Sequence, residues 1–280
     1  MRIVEKYLTE DKKVKIKGYL FEAEKDHISK KPWTPEKRPA VLILPGGYYI
    51  YCSQREGDPA ALRFSQKGYQ AFILEYSCGK VSDYPRPLLE VAEALSFIRE
   101  NAEEFLVDTE KISLMGFSAG GHLALTYGSI YFREDFQEIS GKSEVQLKIS
   151  NIIAAYPVAN LGALYKRAKE SANEKGLENE ISVGDMFVNY EERRDPIKIL
   201  DKKMPRTFIF TSLEDKLIPA EDTVEYVRQA VKKGLDIEFH LFNKGNHGLS
   251  TADDLSNFGR DYPKRVGVWM DMAFSWLEEK

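Results

Sequence analysis

The chain has 280 residues, an ordinary length for one α/β enzyme and enough to bury a sizeable core. Its 43% hydrophobic and 30% charged residues, with no run near the ~18–20 apolar residues that cross a bilayer, argue against a membrane protein. Lys and Arg total 40 against 44 for Asp and Glu, a net charge of −4, which offers no global field for nucleic acid or an anionic membrane.

Residues 3–8 and 14–21 alternate apolar and polar side chains and read as antiparallel edge strands. A loop rich in Lys and Pro follows at residues 30–39. Ala40-Val41-Leu42-Ile43-Leu44 then reads as a buried strand stopped by Pro45-Gly46-Gly47. Residues 59–66 read as a helix closed near Gly68, residues 70–76 as a strand, and residues 88–102 as a helix with Leu88, Val91, Ala92, Leu95 and Ile98 at helical spacing. A strand at 111–116 leads into a helix at 119–131. Further strands are expected at 152–156, 207–211 and 237–242, and helices at 219–232 and 264–279. This rhythm implies an α/β fold, a mostly parallel sheet of about eight strands with helices on both faces. The whole chain, residues 1–280, is expected to form a single domain. Residues 160–203 break the rhythm: charged and too long for an ordinary connection, they read as a small, mostly helical cap.

Cys52 and Cys78 are too few for a disulfide framework and make no C-x-x-C motif. His27, His122, His240 and His247 lack metal-ligand spacing, so no metal is expected. Residues 1–13 are charged and lack the apolar stretch of a secretory signal, which points to a cytoplasmic protein.

Gly116-Phe117-Ser118-Ala119-Gly120 is a G-x-S-x-G sequence. Such a serine sits on a sharp, strained strand-to-helix turn, where flanking small residues let neighbouring backbone approach. The helix that follows points its free N–H groups and positive dipole end at any oxyanion formed there. Alone, the pattern arises by chance in roughly one chain in ten of this length. Here a strand precedes it and a good helix follows, as the turn requires. A second oxyanion donor is expected from the loop after the first central strand, Pro45-Gly46-Gly47-Tyr48-Tyr49. The N–H of Gly47 or Tyr48 would pair with that of Ala119. Tyr48, Tyr49 and His122 are candidate walls of the substrate pocket, with packing as their plainer role.

A serine hydroxyl needs a histidine to take its proton, and the histidine needs a carboxylate to orient it. Asp215 lies just beyond the strand at 207–211, and His247 just beyond the strand at 237–242, between Gly245 and Gly248. That gives the chain order serine, acid, histidine. Asp215 is preferred to Glu214 because it leads directly through Pro219 into the next helix. His122, His240 and His27 fall in a helix, a strand and a charged loop. Activity is expected to rise through mildly acidic pH as the imidazole becomes neutral.

The Pro45–Tyr49 loop, Ser53 and Glu56 after it, Gly116 to His122, the Asp215 turn and His247-Gly248 together resemble the α/β-hydrolase superfamily. The likeness is to its small bacterial acetylesterases and acetyl-xylan-esterase-like members, and it runs from about residue 14 to 276. It implies the α/β-hydrolase fold, no cofactor, and acyl transfer from short-chain esters, often acetylated sugars, through Ser118. Many members carry a third glycine where Tyr48 stands, and others a histidine where Pro45 stands; both departures bear on acyl specificity. An arylformamidase, a prolyl-oligopeptidase-like peptidase and a catalytically inactive binding protein are the alternatives. The expected partner is a small-molecule ester, with no nucleic acid and no membrane, and a homodimer fits the sequence. Trp33 is a candidate sugar contact, with packing or loop anchoring as the alternative.

Overall fold

The computed structural model describes residues 1–22, 36–174 and 195–279, apart from the side chains at 80 and 171–174. The strands are β1 (Arg2–Tyr7), β2 (Lys15–Leu20), β3 (Arg38–Leu44), β4 (Gln70–Glu75), β5 (Val107–Phe117), β6 (Asn151–Ala155), β7 (Arg206–Ser212) and β8 (Ile237–Phe242). They form one sheet in the order β1-β2-β4-β3-β5-β6-β7-β8. Strand β2 runs antiparallel to both β1 and β4, and all other neighbours are parallel. The helices are α1 (Gln54–Gln66), α2 (Arg86–Glu100), α3 (Ala119–Gly128), α4 (Glu134–Ser140), α5 (Glu144–Leu147), α6 (Leu161–Glu174), α7 (Pro196–Ile199), α8 (Ala220–Lys232), α9 (Asp254–Asn257) and α10 (Val268–Glu278). This is the α/β-hydrolase arrangement expected from the sequence. Among the described residues, no helix is long and apolar enough to cross a membrane.

Side chains along a strand point alternately to the two faces, so a central strand must be apolar throughout. In β3, Ala40, Leu42 and Leu44 enter one core with Leu95 and Ile98 of α2 and Leu123 of α3. Val41 and Ile43 enter the other with Ala60, Ala61 and Phe64 of α1 and Trp269 of α10. There Trp269 stacks on Phe210 at 4.5 Å and Phe64 meets Phe274 edge-on at 5.0 Å. Each fully buried Leu, Ile, Val or Phe side chain among them contributes roughly 1.5–3 kcal/mol, which fixes the register that aims the strand ends.

Several boundaries differ from the sequence reading. Strand β5 begins at Val107 because Val107 pairs with Arg38 ahead of an irregularity in β3. Helix α1 begins at Gln54, so Pro59 lies inside it rather than at its start. Proline has no N–H to give the carbonyl four residues back; that carbonyl, of Arg55, instead accepts the Ser250 hydroxyl at 2.5 Å. The helix expected through residue 131 ends at Gly128, and residues 264–267 form a 3-10 turn ahead of α10. Of the segment 160–203, the structure describes α6 and α7, and residues 175–194 lie outside the described residues. Asp195 accepts from the N–H groups of Leu161 and Gly162, which joins the two ends of this segment at the start of α6.

Candidate active site

The loops beyond the C-terminal ends of β3, β5, β7 and β8 converge. Ser118 follows β5 with φ +50° and ψ −113°, outside the favoured regions for an L-residue. Its N–H donates to the Ala155 carbonyl at 3.0 Å, and its carbonyl accepts from His122 at 2.9 Å. The flanking glycines are required sterically: a Cβ on Gly116 would lie 2.1 Å from the Gly120 oxygen, and one on Gly120 would lie 2.0 Å from that of Leu44.

Ser118 Oγ is 2.8 Å from His247 Nε2, and His247 Nδ1 is 2.7 Å from Asp215 Oδ2. The carboxylate accepts only, so Nδ1 carries the proton and Nε2 is left to accept the serine hydroxyl. The Asp215 side chain is wholly buried. Its other oxygen accepts from the N–H groups of Leu217 and Ile218 at 3.0 and 2.9 Å. The neighbouring Glu214 turns away, accepting from Lys244 and from Gly245 N–H. Its hydrogen bond from Lys244 holds its carboxyl below the usual range. The structure thus brings Ser118, Asp215 and His247 together and leaves Glu214 out.

The loop after β3 is held in an unusual conformation, with φ +131° at Gly47, +58° at Tyr48 and +59° at Tyr49. A Cβ on Gly47 would lie 2.0 Å from the Tyr51 oxygen, so only glycine fits. The Gly46 N–H is already committed to Glu56 Oε2 at 2.9 Å. Among the described residues, the N–H groups of Gly47, Tyr48 and Ala119 have no protein acceptor, the condition an oxyanion hole needs. Tyr49 hydroxyl and His122 Nδ1 are 2.8 Å apart. With Leu88 and Leu123 they wall a narrow cavity of about 20 Å3. A larger cleft of about 450 Å3 lies against Pro45 and Ser53, between Lys15, Lys17, Asp58 and Glu75, and neither cavity is lined by Ser118, Asp215 or His247.

His240 pairs with Glu238 on β8, away from Ser118, and His27 and Trp33 lie outside the described residues. Cys52 and Cys78 are free thiols with sulfurs 3.8 Å apart. Among the described residues, no three His, Cys, Asp or Glu side chains are placed to hold a metal. Residue types alone left Tyr156, Arg55 and Ser250 unremarked, and Glu56 only as part of a resemblance. Glu56 lies at helical spacing with the buried Gly57, Ala60, Ala61 and Phe64, so a carboxylate on an apolar face was the available signal.

Fold and site geometry define a member of the α/β-hydrolase superfamily. The chain belongs to the BD-FAE family, whose model matches residues 28–229. It is 30% identical over 226 residues to endo-1,4-beta-xylanase B of Butyrivibrio fibrisolvens, covering 78% of this chain and 33% of that protein. It is 22% identical over 219 residues to an acetylxylan esterase of Xylanibacter ruminicola, covering 78% of this chain and 42% of that one. The chain therefore spans well under two thirds of the length of these relatives. Among solved structures, carboxylesterase Cest-2923 of Lactobacillus plantarum superposes with a TM-score of 0.82 at 24% identity, covering 99% of this chain and 97% of that one. The α/β hydrolase MGS-M1, from a deep-sea metagenome, gives 0.74 at 28% identity with the same coverage.

Proposed function

We propose that this protein is a serine esterase that removes short acyl groups, acetyl above all, from a sugar or xylo-oligosaccharide through an acyl-enzyme on Ser118. The observation that carries the reading is the chain Ser118 Oγ, His247, Asp215, with separations of 2.8 and 2.7 Å on a strained strand-to-helix turn. His247 Nε2 takes the hydroxyl proton as Oγ attacks the ester carbonyl, and Asp215 stabilises the imidazolium that forms. The N–H groups of Ala119 and of Gly47 or Tyr48 meet the oxyanion. The tetrahedral intermediate collapses as the imidazolium protonates the departing alkoxide. Water, deprotonated by the same imidazole, then attacks the acyl-enzyme and releases the acid. No step requires a metal or an organic cofactor. Residues 160–203 are read as a cap belonging to the same single domain.

The sugar substrate is supported by the relatives' own names, one a xylanase and one an acetylxylan esterase. The test is acetate release from acetylated xylo-oligosaccharides, run beside p-nitrophenyl acetate with Ser118→Ala as control. Rapid release that the variant loses is the expected result. Hydrolysis of the nitrophenyl ester alone removes the sugar from the proposal, and full activity in Ser118→Ala removes the mechanism.

A further inference from the structure

We propose that Glu56 is a positioning residue of this site, its buried carboxylate holding the oxyanion loop and the histidine loop in one frame through Gly46 on one side and Tyr156 on the other. The inference rests on the reading of Ser118 as nucleophile.

Each carboxylate oxygen has its own donor. Oε2 accepts from Gly46 N–H at 2.9 Å, and Oε1 accepts the Tyr156 hydroxyl at 2.7 Å. The tyrosine oxygen in turn accepts from Ser250 N–H at 2.8 Å, three residues past His247. With that N–H directed at the tyrosine oxygen, the phenolic proton goes to Glu56, and the donor count matches an ionised carboxylate. The Tyr156 ring lies against the His247 imidazole, centroids 5.0 Å apart. Tyr156 itself has φ +37°, a conformation that non-glycine residues hold only when their surroundings impose it.

The adjacent residue completes the frame. Arg55 donates from Nη2 to the Gly248 carbonyl at 3.2 Å and from Nε to that of Ser256 at 2.9 Å. Its own carbonyl, freed by Pro59, takes the Ser250 hydroxyl. One turn of α1 therefore grips both loops that meet at Ser118. Packing alone does not explain a carboxylate there, since its neighbours on the buried face of α1 are Gly57, Ala60, Ala61 and Phe64. Burying a charge is costly unless its partners compensate.

The groups facing Glu56 are the Gly46 N–H, Tyr156, His247, Tyr48, Tyr76 and, from its own helix, Arg55. A glutamine keeps the shape but reverses one partner. Its amide N–H2 must face either Gly46 N–H, a donor against a donor, or Tyr156, whose proton then loses its acceptor.

The experiment compares wild type, Glu56→Gln, Tyr156→Phe, the double variant and Ser118→Ala on p-nitrophenyl acetate from acid to alkaline pH, with thermal unfolding of each. In Glu56→Gln, kcat is expected to fall about 30-fold while KM changes less than about threefold, because misplaced donors act on the transition state. The double variant should be no more than about threefold worse than Glu56→Gln, since both break one chain of contacts. The acid limb of kcat/KM should move to lower pH in Glu56→Gln, because the imidazolium loses a buried anionic neighbour; a merely structural role would leave it in place. A folded Glu56→Gln with kcat within about twofold of wild type and an unmoved acid limb overturns the proposal, while an inactive Ser118→Ala keeps the esterase mechanism standing. An active Ser118→Ala overturns both. Should Glu56→Gln be too unstable to purify, Tyr156→Phe decides: lost kcat at constant KM supports the frame, and wild-type kcat removes it.

Discussion

The ring of Tyr156 stands edge-on to the imidazole of His247, with centroids 5.0 Å apart and planes at 72°. Tyr156 follows β6 and His247 follows β8, so the contact passes over the end of β7, which itself carries Asp215. Both nitrogens of His247 are engaged, one by Ser118 and one by Asp215, and the aromatic wall limits the remaining rotation. The arrangement depends on register. Ala154 pairs with Ile209, and Ile209 with Phe239. A slip of one residue in either pairing would turn each following side chain to the opposite face and separate the three groups.

Asp215 and Glu214 are adjacent carboxylates with different tasks, and substitution should separate them. Asp215→Asn keeps the volume but lets Nδ1 accept rather than donate, so the wrong tautomer faces Ser118. We expect kcat to fall on the order of 10⁴-fold with little change in KM. Glu214→Gln should leave kcat within about twofold, because Glu214 engages Lys244 and Gly245 instead of the imidazole. Steady-state kinetics on p-nitrophenyl acetate decide between them. A larger loss in Glu214→Gln than in Asp215→Asn would reverse the assignment of the acid.

Gly47 tests the oxyanion loop. A methyl group there meets the Tyr51 oxygen at 2.0 Å, and φ +131° is strained for any L side chain. Gly47→Ala must therefore shift the loop and its N–H groups. Loss of one oxyanion donor costs about 10²–10³-fold in kcat, and a loss of that order is expected here. An organophosphonate should still label Ser118, more slowly. Wild-type kcat in Gly47→Ala would place the second donor elsewhere.

Much of the fold was legible because the central strands carry apolar runs such as Ala40–Leu44, Ile152–Ala155 and Phe208–Phe210, alternating with helical periodicities. The meeting of Ser118, Asp215 and His247 was legible because each lies just past the C-terminal end of a strand. Proline favours first turns, which hides the true start of α1: Pro59 lies in mid-helix and releases a carbonyl to Ser250. Helices α5, α7 and α9, four residues each, are too short to show a 3.6-residue period. The Glu56–Tyr156 bond joins residues 100 positions apart. Local pattern holds no trace of such a pairing, which only the assembled sheet creates.

Glu56 also makes a prediction about stability. Burial pushes its carboxyl above the ordinary glutamate value of 4.5, against the opposing pull of Tyr156, His247, Gly46 and Arg55. The folded protein therefore takes up this proton at a higher pH than the unfolded chain does. By linkage, the group's contribution grows as pH falls through the raised value, is complete below 4.5, and is lost as pH rises again. Glu56→Gln has no such proton. The Tm of wild type minus that of Glu56→Gln should accordingly increase as pH is lowered from neutral toward 4.5, read by thermal unfolding in a pH series. A difference that stays constant or shrinks would mean that burial does not dominate at this carboxylate.

The proposed acyl side of the site lies between Tyr49 and His122. His122 lies one turn past Ser118 on α3, and its contact with the Tyr49 hydroxyl closes a wall that leaves a cavity of about 20 Å3. As the acyl pocket, a space this small should admit an acetyl group where a butyryl chain must displace side chains. Each methylene in such a pocket changes discrimination by about 10–200-fold, so across two methylenes acetate should exceed butyrate by about 100-fold or more in kcat/KM on the nitrophenyl esters. His122→Ala removes the wall and should lower that ratio about tenfold, chiefly by improving butyrate. An unchanged ratio in His122→Ala would mean that the acyl chain leaves Ser118 on another side, past Tyr48 rather than between Tyr49 and His122.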